Sequence, residues 1–205
     1  MSGSIVFTDF DGTYIKGDSY FRSLLFFSGY KKFLRSLPDL IFIVIEYYFK
    51  FITRDEAKKR SFELIYKGMS IGEISEKLES FNRQLHIFPK VKAKIDSFRK
   101  LGCKIIVVTA SPDIYMDYIS KKLRFDGCIC TETEKEHGIL TGRLKRKNCN
   151  YSEKVIRIKE SEFYDLESRI ISFGNSMGDE QMFRLSSEFY FVDKAGNVKK
   201  GKTPW

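Results

Sequence analysis

The run Asp9-Phe10-Asp11-Gly12-Thr13 follows directly on the apolar stretch Ile5-Val6-Phe7. Alternate residues of an extended strand project to the same side, so Asp9 and Asp11 at its tip face one site. One carboxylate of such a pair can attack an electrophile while the other moves a proton. Gly12 permits a sharp exit from the strand, and the Thr13 hydroxyl can hydrogen-bond back onto the turn. A solvated acidic turn would also place two aspartates together, but further motifs fit the same site.

The stretch Lys104-Ile105-Ile106-Val107-Val108 reads as a buried strand and ends in Thr109-Ala110-Ser111-Pro112. Lys154 follows Ser152, which the pattern predicts to be a helix N-cap. Ile170-Ile171-Ser172-Phe173 is a further strand, running into Gly174-Asn175-Ser176-Met177-Gly178-Asp179. Three strands therefore deliver a carboxylate pair, a hydroxyl and an Asn/Asp loop to their C-terminal ends. In a parallel sheet those ends share the edge where open α/β folds bind ligands. Lys154 adds the cation that a phosphate needs.

With these four motifs in this order, nearly the whole chain resembles the haloacid dehalogenase-like phosphohydrolases, in the branch that includes phosphoserine phosphatase. The resemblance implies a Rossmann-like α/β core, a parallel sheet with a helical cap subdomain inserted after the first motif. It implies a Mg²⁺-dependent phosphomonoester hydrolase with Asp9 as nucleophile and Asp11 as general acid and base. Thr109 would hold a phosphoryl oxygen and Lys154 would balance charge. The metal ligands it implies are Asp9, the Asp11 main-chain carbonyl, Asp179, directly or through water, and Asn175. Gly12, Thr13, Ala110 and Ser111 are expected to line the substrate pocket. Asp11 favours a phosphatase over a dehalogenase, since the dehalogenase members lack that second acid. Many relatives carry Asp where this chain has Asn175, which removes one formal negative charge from the metal site.

Two cap residues are candidates for reading the substrate. Asp18 stands where phosphoserine phosphatases carry a Glu that meets the substrate amine. Arg60 aligns loosely with an Arg that grips the substrate carboxylate by a bidentate fork.

Composition agrees with such an enzyme. The 205 residues suit one catalytic core with an insertion, and the net charge of +9 favours anionic partners. The basic run Arg143, Lys145, Arg146, Lys147 is expected to be a solvated face, and no nucleic-acid partner is expected. Four cysteines include no C-x-x-C pair, and neither histidine has zinc-ligand spacing. Reduced thiols and a first strand that begins almost at Met1 lead to the expectation of a cytoplasmic protein without a signal peptide.

The strands expected are residues 4–7, 104–108, 128–131, 170–173 and, last, 188–192, with a small β excursion around 138–142. Between the first two strands the chain reads as helical, interrupted near Leu37-Pro38 and Gly68. Thr53 and Ser70 open two of the helices, and Pro89 another. The expected division is a catalytic core of residues 1–15 and 90–205 and a cap of residues 16–89.

Within the cap, Leu40-Ile41-Phe42-Ile43-Val44-Ile45-Glu46-Tyr47-Tyr48-Phe49-Lys50-Phe51-Ile52 is apolar on nearly all sides but too short and too charged for an ordinary membrane span. Burial inside the protein is expected, which goes with a small phosphorylated metabolite as substrate. The alternative is a surface in peripheral contact with an anionic membrane, serving a lipid phosphatase of the phosphatidylglycerophosphate type. An alternative of another class is a catalytically weak phosphate-binding or interaction module. The oligomeric state is not legible in the sequence.

Overall fold

The computed structural model describes residues 3–203. The first apolar run forms β1 (Ile5–Thr8), buried along its whole length as a central parallel strand must be. Four helices follow: α1 (Ser19–Tyr48), α2 (Arg54–Tyr66), α3 (Ile71–Asn82) and α4 (Pro89–Lys100). The chain then re-enters the sheet at β2 (Lys104–Pro112) and continues through α5 (Asp113–Lys122) to β3 (Gly127–Thr131). A hairpin, β4 (Thr133–Glu136) and β5 (Ile139–Leu144), stands apart from that sheet. After it come α6 (Ser152–Glu160), β6 (Ile170–Gly174), a 3₁₀ turn, α7 (Glu180–Leu185), β7 (Glu188–Val192) and β8 (Val198–Lys200).

The main sheet has the order β3-β2-β1-β6-β7-β8. Its strands are parallel except β8, an edge strand that runs antiparallel to β7 and was not expected from sequence. Ile5 pairs with Lys104 on one side and Ile170 on the other. From β1 the chain builds outward through β2 and β3, then returns to fill the opposite side with β6 and β7. The C-terminal end of β1 is therefore a topological switch point, where open α/β sheets leave a crevice.

α1 departs from the sequence reading. Pro38 does not interrupt it; the non-helical residue is Gly29, at φ 72° and ψ 162°. A proline removes one helical hydrogen bond to the residue four back. Here that residue is Leu34, and both it and Pro38 are exposed, so water can take over the freed carbonyl. Gly29 instead adopts a backbone open mainly to glycine and divides α1 into two segments.

One face of α2, carrying Ser61, Phe62, Ile65 and Tyr66, is buried. Phe27 of α1 and Phe81 of α3 pack on Tyr115 of α5, with ring centroids 6.2 and 5.2 Å away. These helices thus share an apolar cluster with the sheet and roof the switch point. No helix among the described residues is long and apolar enough to cross a membrane.

Candidate active site

Asp9 stands at the end of β1, its backbone N–H donating to the Phe173 carbonyl of β6 at 2.9 Å. Its side chain is 9% exposed. Oδ2 accepts from the Thr13 hydroxyl at 2.7 Å, and Oδ1 from Lys154 Nζ at 2.6 Å. Lys154 reaches this point from the first turn of α6. The residue before that helix is Tyr151, left-handed at φ 49°, so the expected Ser152 cap is displaced by one position. Asn150 Oδ1 accepts the Tyr151 N–H at 3.0 Å and steadies the turn.

Lys154 donates a second 2.6 Å bond to Asp179 Oδ1. The other oxygen of Asp179 accepts from Asn175 N, Ser176 N and Ser176 Oγ at 3.0–3.1 Å. Asp179 is thus engaged on both oxygens by protein donors. It holds the lysine and closes the loop after β6. Burial works against the Lys154 ammonium, but Asp179 and Asp9 outweigh it and keep the lysine charged. Burial, opposed by Lys154 and reinforced by Asp179, pushes the Asp9 carboxyl up to about 7.

Asp11 is held differently. Oδ1 accepts the Ser19 N–H at 2.6 Å and Oδ2 the Ser111 hydroxyl at 2.6 Å. The Thr109 hydroxyl lies 3.5 Å from the same Oδ2 and accepts the Ser111 N–H at 3.0 Å. Burial, with repulsion from Asp18, raises the Asp11 pKa. Burial raises the proton affinity of both aspartates, so contact is what distinguishes them: one faces a fixed cation, and the other is surrounded by hydroxyl and amide donors. That is the separation of roles an acid–base partner requires.

Gly12, at φ +73°, lets the Asn175 side chain approach closely: a Cβ on Gly12 would meet Asn175 Nδ2 at 2.2 Å. This cradle tests whether the residues fit a divalent cation. Asp9, the Asp11 main-chain carbonyl and the Asn175 amide supply hard oxygen atoms, the donor chemistry of Mg²⁺. Two buried carboxylates share a single lysine, so another positive charge would be stabilised there. The residues fit.

The cleft around this centre has a volume of about 1070 Å³ and is lined by Asp9, Asp11, Gly12, Asp18, Thr109, Ala110, Ser111, Lys154 and Asn175, among others. Thr13 lies beneath it, fully buried. Asp18 caps α1 by accepting the Phe21 N–H at 3.1 Å.

Arg60 is a correction. It pairs with Glu46 of α1 at 2.6 Å and is not part of the cleft wall. Two residues along a helix is about 200° of rotation, so the cleft-facing basic residue is Lys58 instead. Lys58 Nζ donates to the Ala110 carbonyl and, at 2.7 Å, to Asn148 Oδ1, and lies 5.0 Å from the centre of the Tyr20 ring. Burial lowers its pKa to about 8, against the pull of Asp11 and Asp18. Lys58 lies in register with Ser61, Phe62 and Ile65, an i, i+3, i+4, i+7 pattern that could have marked it as inward-facing. Asn148 was also missed. It accepts from Lys58 and from the Thr131 hydroxyl, at 2.9 Å, and donates to Asp55 at 2.8 Å, tying the roof to the sheet edge.

Comparison with known proteins agrees with this geometry. Residues 6–184 match the family model for haloacid dehalogenase-like hydrolases. Protein CicA of Caulobacter vibrioides is 28% identical over 191 residues, covering 90% of this chain and 83% of that one. A Bordetella pertussis protein of unknown function superposes with a TM-score of 0.78 at 18% identity, covering 92% of this chain and 89% of the other. A substrate-bound phosphoserine phosphatase superposes at 0.61 and 17% identity, covering 92% and 85%. These two structural likenesses establish the fold.

Proposed function

Because the chain belongs to the haloacid dehalogenase-like hydrolases, we propose that its cleft hydrolyses phosphomonoesters through an aspartyl-phosphate on Asp9. The observation that carries this reading is the asymmetry of the two aspartates, one clasped by Lys154 and the other by Ser19 and Ser111.

In the first half-reaction an Asp9 oxygen attacks phosphorus and the bond to the ester oxygen breaks. Asp11 gives its proton to the departing alkoxide, so its raised pKa serves the step. In the second, Asp11 takes a proton from water as that water attacks phosphorus and releases Asp9. Lys154 and the Thr109 hydroxyl neutralise and orient the phosphoryl oxygens, since phosphoryl transfer is catalysed mainly by positioning and charge. Mg²⁺, held by Asp9, the Asp11 carbonyl and Asn175, would supply further charge neutralisation. Asp179 acts on Lys154.

Residues 16–89 serve as the cap that excludes water and meets the leaving group. Lys16, Asp18, Arg54 and Lys58 are the charged groups it contributes to the cleft lining. A panel of phosphomonoesters including phosphoserine, assayed with Mg²⁺ and with chelator, tests the reading. Metal-dependent release of phosphate that disappears in Asp9→Asn is the expected result. A wild-type chain inactive on the whole panel, or an equally active Asp9→Asn, would overturn it.

A further inference from the structure

We propose that the second segment of α1, residues 30–48, with the aromatic turn that follows it, docks on an anionic lipid bilayer from which the cleft draws its phosphomonoester. The substrate half of this statement rests on the phosphatase reading; the docking stands on separate observations.

Leu34, Pro38, Ile41, Ile45 and Tyr48 recur at alternating intervals of four and three, which places them in one stripe along the helix. That stripe is open to solvent: Ile41 is 51% exposed and Tyr48 78%. Beyond the helix end, Phe49 and Phe51 are also exposed, and the Phe49 ring lies 5.4 Å from that of Tyr48 and 6.3 Å from that of Phe51, centroid to centroid. A contiguous apolar face of this kind marks an interaction surface. Phe42, Tyr47 and Phe49 are all largely exposed, contrary to the burial expected from sequence. Glu46, which breaks the apolar run in sequence, is paired with Arg60.

Three features identify the occupant as a bilayer. The first is continuity with the active site, because Leu37, Ile41, Val44 and Ile45 also line the cleft that reaches Asp9. Material entering from the exposed side of the helix therefore meets an apolar wall leading to the nucleophile. The second is charge. Lys31, Arg35, Lys50 and Arg54 flank the stripe, are exposed, and form no ion pair among the described residues. Among the described residues, exposed Asp39 is the one acid of the same stretch without an ion pair, since Glu46 pairs with Arg60. The third is shape: an apolar helix face, basic flanks and an aromatic tip are the combination found in interfacial helices. A second copy of the chain would bring the same basic flanks and the same net charge of +9 against these, and so fits less well.

The full-length chain is tested by sedimentation with vesicles of phosphatidylcholine alone and of phosphatidylcholine with phosphatidylglycerol. Recruitment to the anionic vesicles only, declining with added salt, is expected. The triple variant Tyr48→Ser, Phe49→Ser, Phe51→Ser, none of which lines the cleft, should bind these vesicles at least tenfold more weakly. It should hydrolyse nitrophenyl phosphate within twofold of wild type, which excludes misfolding. In the same assay dodecyl phosphate should surpass ethyl phosphate in kcat/KM by tenfold or more. Absence of recruitment, equal recruitment of the triple variant, a salt-stable dimer that the triple variant abolishes, or no gain with chain length would each overturn the proposal. Vesicle recruitment by a chain inactive on every phosphate would instead leave the docking standing and remove the phosphatase reading.

Discussion

Lys154 Nζ lies 2.6 Å from Asp9 Oδ1, although the two residues are 145 positions apart in the chain. Both are buried, so the ion pair is formed in a low-dielectric setting where losing the lysine would strand the Asp9 and Asp179 carboxylates together. The consequences can be measured.

Asp9→Asn removes the proposed nucleophile while keeping the shape of the side chain and its bond with Thr13. Turnover should fall below a thousandth of wild type with the fold retained. Steady-state rates and circular dichroism check this together, and retention of a tenth of the rate would rule out covalent catalysis at this residue.

Asp11→Asn should be severely impaired on alkyl phosphates and least so on nitrophenyl phosphate. A good leaving group departs without a proton, so the loss of an acid matters less. Equal losses on both substrate types would argue against the acid role.

Asp179→Asn and Asn175→Asp separate two roles. Asp179 binds Lys154, which keeps Asp9 as a second partner, so its replacement should cost about 1.5–3 kcal/mol of stability and lower kcat, with a smaller effect on Mg²⁺ affinity. Asn175→Asp adds a charge beside the oxygen atoms expected to hold Mg²⁺ and should tighten binding. Thermal unfolding and Mg²⁺ titration of both variants distinguish these effects. Weaker metal binding in Asn175→Asp would remove it from the ligand set.

Lys58 gives a pH signature. Its folded pKa, about 8, lies below its ordinary 10.5, so the unfolded chain holds the extra proton between these values. Its contribution to stability therefore rises with pH across that window. Its charge in the folded state disappears over the same range. KM for an anionic substrate should rise above about pH 8, and Lys58→Met should raise KM about tenfold at neutral pH and flatten the profile, the worth of one hydrogen bond to a charged group. A Lys58→Met profile that still bends near pH 8 would assign the transition elsewhere.

The strand-tip motifs were legible because they are local. An apolar run followed by Asp9-x-Asp11-Gly12 or by Thr109 determines a strand and the chemistry displayed at its tip, although β2 runs on to Pro112, beyond the expected end at Val108. Several other features depended on tertiary contacts. Arg60 and Lys58 have nearly the same sequence context, and only the packing of α2 turns Lys58 toward Ala110 and Asn148 while Arg60 meets Glu46. Asp179 reads in sequence as a metal ligand, direct or through water, and only the fold brings Lys154 and three further donors to its oxygens. The apolar run of α1 fixes a helix that needs a covering, but hydrophobicity has no direction. Which face is covered was decided by where α2 and the cleft lie, and they leave the stripe from Leu34 to Tyr48 open.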